Sequence, residues 1–203
     1  MAAGHRRLFV ALDPDDAVRA GAAAAVAWLK DAADPLGRAL RFVDPGALHL
    51  TLRFLGEVAE ERLEGIRWAV SAAAAGGASL SLQLRGAGAF PSPGRAHIVW
   101  LGVGGDVAPL QGLAASLDHL LAPLGFPAEG RAFRPHLTVA RSRLGVPGLG
   151  AALQAASAAL APIPWHATTL TLFESQLGRG GARHLPLLRA SLGGPAETPA
   201  PRR

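Results

Sequence analysis

Apolar residues along the chain follow two spacings, one typical of strands and one typical of helices. Short runs that are apolar throughout, or that alternate with polar residues, predict strands, whereas apolar residues that recur every three or four positions predict amphipathic helices. Strands are predicted at residues 8–12, 40–43, 48–55, 80–84, 98–101, 136–139, 170–173 and 184–188. Helices are predicted at residues 14–32, 59–75, 109–121 and 151–160.

Turn-forming residues mark the ends of several of these elements. Asp13 is followed by Pro14, and this pair predicts a helix start because aspartate can cap a helix and proline fits its first turn. Gly76 and Gly77 close the second predicted helix. Residues 91–94 form a turn between two apolar runs, which predicts a β-hairpin.

The order of elements repeats along the chain. The strands at 48–55 and 136–139 are each followed by a helix and then by further strand, which predicts an α+β fold of two similar halves related by an approximate two-fold axis. Residues 1–192 are therefore predicted to form one bilobal domain. The polar, proline-rich residues 193–203 are predicted to be a disordered tail.

Composition narrows the class of protein. Half of the 203 residues are hydrophobic and 17% are charged, which is typical of globular proteins. The net charge of +5 suits an anionic partner such as nucleic acid, although an arginine-rich solvated surface explains it equally well. The absence of cysteine excludes disulfides and thiolate nucleophiles, and no apolar run is long enough to span a membrane. We expect a cytoplasmic protein.

A His-x-Thr triplet occurs three times, at His49, His136 and His166. Chance predicts only about 0.2 such triplets in a chain of this composition. In a strand the imidazole and the hydroxyl of such a triplet point to the same face. His49 with Thr51 and His136 with Thr138 lie within apolar runs, so each pair can be held rigidly at a cleft. His166 follows proline and tryptophan and is expected only to begin a strand.

Three kinds of chemistry are conceivable for the two histidines. Metal binding needs further ligands at suitable spacing, and neither run contains a third clustered His, Asp or Glu. A serine hydrolase of the G-x-S-x-G type is not indicated, because that motif is absent. Two imidazoles can instead share acid and base roles in phosphodiester hydrolysis, with threonine hydroxyls stabilising the phosphoryl oxygens. No metal or cofactor is then needed.

Arginines near the two motifs are candidate phosphate ligands. Arg134 precedes His136 by two residues and shares its strand face if the strand starts that early, and Arg53 stands in the same relation to Thr51. Arg141 falls on the opposite face by strict alternation, and it reaches the cleft only if the strand has ended or is bulged. A solvated surface role remains open for each.

Several segments resemble the 2H phosphoesterases, and within them the LigT-like RNA 2′,3′-cyclic phosphodiesterases. These segments are RLFVALD at 7–13, LHLTLRFLGEV at 48–58, VWLGV at 99–103, FRPHLTVAR at 133–141 and LTLFESQLG at 170–178. The resemblance implies two antiparallel-sheet lobes around a central cleft, with helices outside. It also implies metal-independent opening of a 2′,3′-cyclic phosphate on RNA ends or nucleotides to a 2′-phosphomonoester.

Carried over to this sequence, the resemblance makes His49 and His136 the catalytic pair, and Thr51 and Thr138 the phosphate-holding hydroxyls. We expect His49 to protonate the leaving 3′ oxygen and His136 to activate water. Arg134 and Arg141 are the expected further substrate contacts, and His166 belongs to neither motif. We expect a monomer. Two alternatives stay open, namely 2′-5′ RNA ligation and non-catalytic binding of RNA ends.

This chain departs from the family pattern near its end. Family members often carry tyrosine after a glycine-rich turn, where this chain has His184 and contains no tyrosine at all. Any role of that aromatic ring is therefore in doubt. Phe9 and Phe42 lie near the predicted strands and could stack on a base, although core packing is the simpler use.

Overall fold

The computed structural model describes residues 4–130, 132–178 and 181–194. Its strands are β1 (His5–Leu12), β2 (Arg41–Phe42), β3 (Leu50–Ala59), β4 (Leu80–Ser92), β5 (Arg95–Gly105), β6 (His136–Val146), β7 (Ile163–Ala167), β8 (Thr169–Gly178) and β9 (Gly181–Ser191). Its helices are α1 (Asp16–Ala32), α2 (Leu63–Ala75), α3 (Val107–Leu121) and α4 (Gly150–Ala159). None of the described helices is long and apolar enough to cross a membrane.

The predicted elements are present, and their ends differ in places. Helix α1 is capped by Asp15, whose carboxylate accepts a hydrogen bond from the backbone N–H of Val18, so the predicted cap at Asp13 is wrong. Asp13 is instead ion-paired with Arg19. The predicted hairpin at residues 91–94 joins β4 to β5. Most of the predicted tail, residues 195–203, lies outside the described residues, and the domain limit at 192 stays a prediction.

The strands form two antiparallel sheets, as predicted for the α+β bilobal fold. The first has the order β3-β1-β8-β9 and the second the order β2-β6-β5-β4-β7. Helix α2 packs on β8 and β9, while α4 packs on β4. One continuous apolar core contains residues of both sheets and of all four helices.

The two sheets have four and five strands, and they are not built from successive halves of the chain. Each motif strand pairs with the long strand that comes before it in the chain: β3 pairs with β1, and β6 pairs with β5. Strands also cross between the halves: β4, from the first half of the chain, lies in the second sheet, and β8 and β9, from the second half, lie in the first. This exchange ties the two sheets together and brings β3 into contact with β6.

Candidate active site

The two motif histidines occupy equivalent places at the start of their strands. His49 immediately precedes β3 and His136 is the first residue of β6. The Nδ1 atom of His49 lies 2.9 Å from the carbonyl oxygen of Ala47, and that of His136 lies 2.6 Å from the carbonyl oxygen of Arg134. Because a carbonyl can only accept, each Nδ1 carries the proton, and each Nε2 is left with a free lone pair.

The loop before His49 is held in place by two side chains. Asp44 accepts a hydrogen bond of 2.7 Å from the N–H of Gly46 and so caps a short 3-10 turn. Arg19, on α1, donates to the carbonyl oxygens of Pro45 at 2.8 Å and Leu48 at 3.2 Å. These bonds fix the backbone on both sides of the Ala47 carbonyl, which orients the His49 ring.

A β-bulge in β6 decides which face Arg141 occupies. Thr138 lies opposite Trp100 of β5, but the next residue of β5, Val99, lies opposite Ala140. Val139 is therefore an extra residue of β6 with no partner on β5, and the two consecutive residues Val139 and Ala140 are both buried as a result. Arg141 then faces the same side as Thr138. Strict alternation was therefore wrong for Arg141, and the bulged arrangement considered as its exception is the one observed.

The same bulge occurs in β3 and gives the opposite result for Arg53. Thr51 lies opposite Ala11 of β1, whereas Arg53 lies opposite the adjacent residue, Val10. Leu52 and Arg53 are both buried, and the following residue, Phe54, takes the cleft face. Phe54 in the first sheet is thus the counterpart of Arg141 in the second sheet.

Arg53 is consequently a core residue and not a phosphate ligand. Its side chain is 5% exposed, and its Nη1 lies 3.1 Å from a carboxylate oxygen of Asp118 on α3. It also donates to the carbonyl oxygen of Pro127. The predicted phosphate contact is wrong because the bulge turns this guanidinium inward, where it links β3 to the segment after α3.

Aromatic rings surround His49 on the first sheet. The ring centroid of Phe9 lies 4.7 Å from that of His49, and the centroid of His184 lies 4.9 Å from it, with the two imidazole planes at 83°. Phe9 also stacks on Phe173 at 5.2 Å. Phe9, Ala11 and Phe173 form a small apolar cluster separate from the main core. The immediate surroundings of the His49 ring are therefore aromatic.

His136 has its own aromatic neighbours on the second sheet. Phe90 lies edge-on to it at 5.1 Å and Trp100 lies at 6.3 Å, measured between ring centroids. The indole of Trp100 lies against Gly88, where an added Cβ would come within 2.3 Å of the ring. Glycine at this position thus makes room for the indole that flanks His136.

Arg141 is the electrostatic link among the imidazoles. Burial is the main cause that lowers the pKa of His49, to about 4, and it also lowers the pKa of His136 and of His184. The positive charge of Arg141, which the bulge brings to the same side of β6 as Thr138, lowers all three pKa values further. Desolvation lowers the pKa of Arg141 itself. Burial and the positive charge of Arg141 therefore favour the neutral form of His49, His136 and His184 before substrate binds.

The remaining predicted contacts differ in their surroundings. Thr51 and Thr138 are half-buried, and within the described part of the chain neither hydroxyl has a hydrogen-bond partner. Both hydroxyls are therefore free to bind a ligand. Arg134 has an exposed side chain, and its backbone carbonyl is what contacts His136. Its guanidinium as a substrate contact stays a prediction.

Three other residues considered from the sequence lie away from the histidine pair or are covered. The prediction that His166 begins a strand is wrong, because it is the fourth residue of β7. It is exposed, opposite Ser81, at the edge of the second sheet farthest from β6 along the strand order. Phe42 packs on the core, and the Lys30 ammonium lies 4.8 Å from its ring centre. Phe9 is only 1% exposed, so it cannot offer a face to a base.

Sequence reasoning did not identify Phe54, Phe90, Trp100 or Gly88 as parts of this site. For Phe54 the available signal was its position five residues after His49, which matches the position of Arg141 after His136. Reading that signal required knowledge of the bulges. Across residues 4–130, 132–178 and 181–194, no group of three His, Cys, Asp or Glu side chains is placed to hold a metal ion. Metal independence stays a prediction.

Comparison with known proteins identifies relatives along most of the chain. Residues 11–179 match the model of the 2′-5′ RNA ligase superfamily. An RNA 2′,3′-cyclic phosphodiesterase of Aeropyrum pernix is 37% identical over 57% of this chain, and the match spans 65% of that protein, just under two thirds. One from Archaeoglobus fulgidus is 40% identical over 66% of this chain and 72% of its own length.

Solved structures share the fold. A Thermus thermophilus protein superposes with a TM-score of 0.73 at 29% identity, covering 93% of this chain and 98% of its own. Escherichia coli LigT complexed with 3′-AMP superposes with a TM-score of 0.72 at 29% identity, covering 93% and 99% of the two chains. The bilobal α+β prediction is thereby confirmed.

Proposed function

Because this chain belongs to the 2′-5′ RNA ligase superfamily, we propose that it is a hydrolase that opens the 2′,3′-cyclic phosphate at RNA ends or on nucleotides. The product is a 2′-phosphomonoester. Relatives named RNA 2′,3′-cyclic phosphodiesterase support this activity, and so do the complexes of LigT with 3′-AMP, ATP and phosphate.

The observation that carries the proposal is the matched geometry of the two motifs. Each imidazole is held by a carbonyl at Nδ1, which leaves Nε2 able to exchange a proton with a ligand. Each is followed two residues later by a threonine hydroxyl without a partner among the described residues, and Arg141 shares its side of β6 with Thr138 and lowers the pKa of both imidazoles. Two proton-exchanging groups, two hydroxyl donors and one cation together suit a phosphodiester anion.

In the proposed reaction, Thr51 and Thr138 donate hydrogen bonds to the non-bridging phosphoryl oxygens, and Arg141 compensates their charge. One neutral imidazole takes a proton from water as the water oxygen attacks phosphorus. The bond between phosphorus and the 3′ oxygen breaks, and the other imidazole, in its protonated form, gives its proton to that oxygen. The imidazoles finish with exchanged protonation states, which solvent restores.

The acid in this reaction must be protonated when substrate is bound. The bound phosphodiester is negatively charged, and an anion raises the pKa of a neighbouring imidazole. If His49 is the acid, as the family resemblance implies, its pKa must rise further than that of a less buried imidazole, because it is about 4 before substrate binds. His136 is then the base that activates water.

Phe54 is the proposed contact for the base of the substrate. It is 51% exposed, and its centroid lies 5.8 Å from that of Phe9, which in turn contacts His49. A base that stacks on Phe54 leaves the sugar and phosphate directed toward the motif histidines. The net charge of +5 favours the approach of RNA.

Two further predictions complete the proposal. All the proposed groups come from one chain, so a monomer suffices for activity. A cytoplasmic location also stays a prediction, consistent with the absence of cysteine.

The test is hydrolysis of a 2′,3′-cyclic-ended oligonucleotide in the presence of a chelator, between pH 5 and pH 8. We expect a 2′-phosphate product and a bell-shaped pH profile whose limbs belong to the coupled pair. His49→Ala and His136→Ala should each lose about 10²–10⁴-fold in rate, whereas His166→Ala should match the wild type. Absence of product at every pH would refute the activity, and full activity in both histidine variants would refute the site.

The same assay separates the two alternatives. An RNA 5′-hydroxyl that attacks phosphorus in place of water would give a 2′-5′ bond, so an added 5′-hydroxyl oligonucleotide tests ligation. A non-catalytic protein would bind 2′-phosphorylated RNA in a salt-dependent manner without forming either product.

A further inference from the structure

We propose that His184 is a third imidazole of this site, and that it holds its proton on Nε2 and donates it in a hydrogen bond to the bound phosphoryl group. The role toward substrate rests on the proposed function. The position of the proton rests on the structure alone. No residue of either His-x-Thr motif is involved, so this is an additional substrate contact.

His184 reaches the site from the far edge of the first sheet. It lies on β9, opposite Ser175 of β8. Its ring is perpendicular both to that of His49, at a centroid distance of 4.9 Å, and to that of Phe9, at 5.0 Å. The three rings therefore pack as one unit, and His184 is half-buried on the same face of the sheet as His49.

The surroundings of its two nitrogens differ. The Nδ1 atom of His184 is buried and has no hydrogen-bond partner among the described residues. Its Nε2 is also unbonded there but does not share that burial, so it keeps contact with solvent. A proton on Nδ1 would leave a buried donor unsatisfied, whereas a proton on Nε2 can be donated to water or to a ligand. The Nε2–H tautomer is therefore favoured.

This tautomer is the reverse of that of the motif histidines. His49 and His136 have their Nδ1 protons bound to carbonyls, so each presents an accepting Nε2. His184 has no such carbonyl among the described residues and presents a donor. Beside the two threonine hydroxyls, the site thus offers two accepting imidazoles, one neutral imidazole donor and the Arg141 cation, and the last two match the acceptor oxygens of a phosphoryl group.

His184 can act in this way without being charged. Burial and the nearby Arg141 keep the pKa of His184 below its usual value of 6.5, so the ring is neutral at pH 7. The groups with which it interacts electrostatically are Arg141 and His49. The Nε2–H donor is therefore present at neutral pH, because it does not require the ring to take up a second proton.

The proton position is tested by long-range ¹H–¹⁵N NMR of the wild-type protein, with the histidine signals assigned from His→Gln variants. We expect His184 as the Nε2–H tautomer, and His49 and His136 as Nδ1–H tautomers. A His184 proton on Nδ1 overturns the inference. This readout does not depend on turnover, so it stands apart from any failure of the proposed activity.

The contact with substrate is tested by binding of inorganic phosphate and of 2′-AMP, together with kcat/KM for the cyclic substrate. His184→Phe keeps a ring against His49 but removes the donor, and it should weaken binding by about 10- to 100-fold. His184→Gln keeps an N–H at a similar reach and should stay within about threefold of the wild type. Thermal unfolding confirms that both variants are folded.

Wild-type binding of phosphate without turnover, together with weakened binding by His184→Phe, would refute the proposed function and support this contact. Binding by His184→Phe within twofold of the wild type would overturn the contact, and so would an absence of phosphate binding by the wild type.

Discussion

Thr138 and Arg141 face the same side of β6, although strict alternation would place them on opposite sides. The bulge between them inserts one extra residue and restores the guanidinium to the cleft. The matching bulge in β3 sends Arg53 into the core and brings Phe54 to the equivalent surface. One irregularity, used twice, thus places a cation on one side of the cleft and an aromatic ring on the other.

Removal of the Arg141 charge should affect both turnover and titration. Arg141→Gln should lower kcat/KM by about 10²–10³-fold, because a charged donor to the phosphoryl oxygens is lost. The same change should raise the pKa of His49, His136 and His184 in the free protein, since the positive charge of Arg141 lowers all three. NMR titration of the histidines measures this shift.

The matched control is Arg134→Gln. The Arg134 side chain is exposed, and its backbone carbonyl, which the substitution keeps, is what orients His136. Histidine pKa values in this variant should therefore stay at their wild-type positions. Unchanged titration of all three histidines in Arg141→Gln would contradict the placement of Arg141 among them.

The buried state of His49 should make stability depend on pH. The unfolded chain takes up a proton near pH 6.5, whereas folded His49 does so only near pH 4, so protonation favours the unfolded state as the pH falls between these values. The contribution to the free energy of unfolding is complete above pH 6.5, and its loss at low pH amounts to at most about 3 kcal/mol.

His49→Gln should abolish that part of the pH dependence. Urea unfolding at pH 7 and pH 4.5 should show a smaller loss of stability in this variant than in the wild type. His166→Gln removes an exposed histidine instead and should lose as much stability as the wild type does. Equal losses in all three proteins would show that His49 titrates normally when folded.

Much of this architecture follows from the sequence, because the apolar periods and the turn residues are local signals. The four helices and eight of the nine described strands were predicted from them, but β7 was not. The two His-x-Thr runs were singled out by their matching apolar surroundings. The face taken by Arg53 and Arg141 was not, since a bulge depends on the register with a neighbouring strand. The exchange of β4 and β8 between the sheets is a tertiary feature that no local pattern encodes.

The acid and base roles can be separated by a change of leaving group. A substrate with sulfur in place of the bridging 3′ oxygen releases a thiolate, which does not need a proton to depart because thiols ionise near pH 8.5. If His49 is the acid, His49→Ala should recover to within about tenfold of the wild type on this substrate. His136→Ala should not recover, because attack by water still needs a base.

The reverse pattern, with His136→Ala recovering and His49→Ala not, would exchange the two roles. His166→Ala serves as the reference for the thio substrate, since that histidine is exposed on an edge strand away from the motif strands. Recovery of neither variant would indicate that proton donation to the leaving group does not limit the rate.

Gly88 should tolerate no side chain, although it is not itself in the proposed chemistry. Alanine at this position would place Cβ 2.3 Å from the Trp100 ring, so the indole must move. Trp100 and Phe90 both flank His136. Gly88→Ala should cost about 1–3 kcal/mol of stability and should lower kcat as His136 is displaced.

Gly94→Ala is the control for that substitution. It lies in the turn between β4 and β5, and an added Cβ there would be 3.8 Å from the nearest atom, the Ser92 hydroxyl. Thermal unfolding and turnover should both remain close to the wild type. A Gly88→Ala protein with wild-type stability would contradict the close packing of Trp100 on this strand.

Phe54 should distinguish nucleotide binding from phosphate binding. Phe54→Ala removes an exposed ring, so stability should change little, but stacking of a base on an aromatic side chain contributes about 1–3 kcal/mol. Affinity for 2′-AMP should therefore fall by about 5- to 100-fold, while affinity for inorganic phosphate should not change. Trp68→Ala, which removes another partly exposed ring on α2, should affect neither ligand. Equal loss for both ligands in Phe54→Ala would mean that Phe54 shapes the phosphate site, through its contact with Phe9 beside His49. No loss for 2′-AMP would place the base elsewhere, because the substitution deletes the proposed stacking contact.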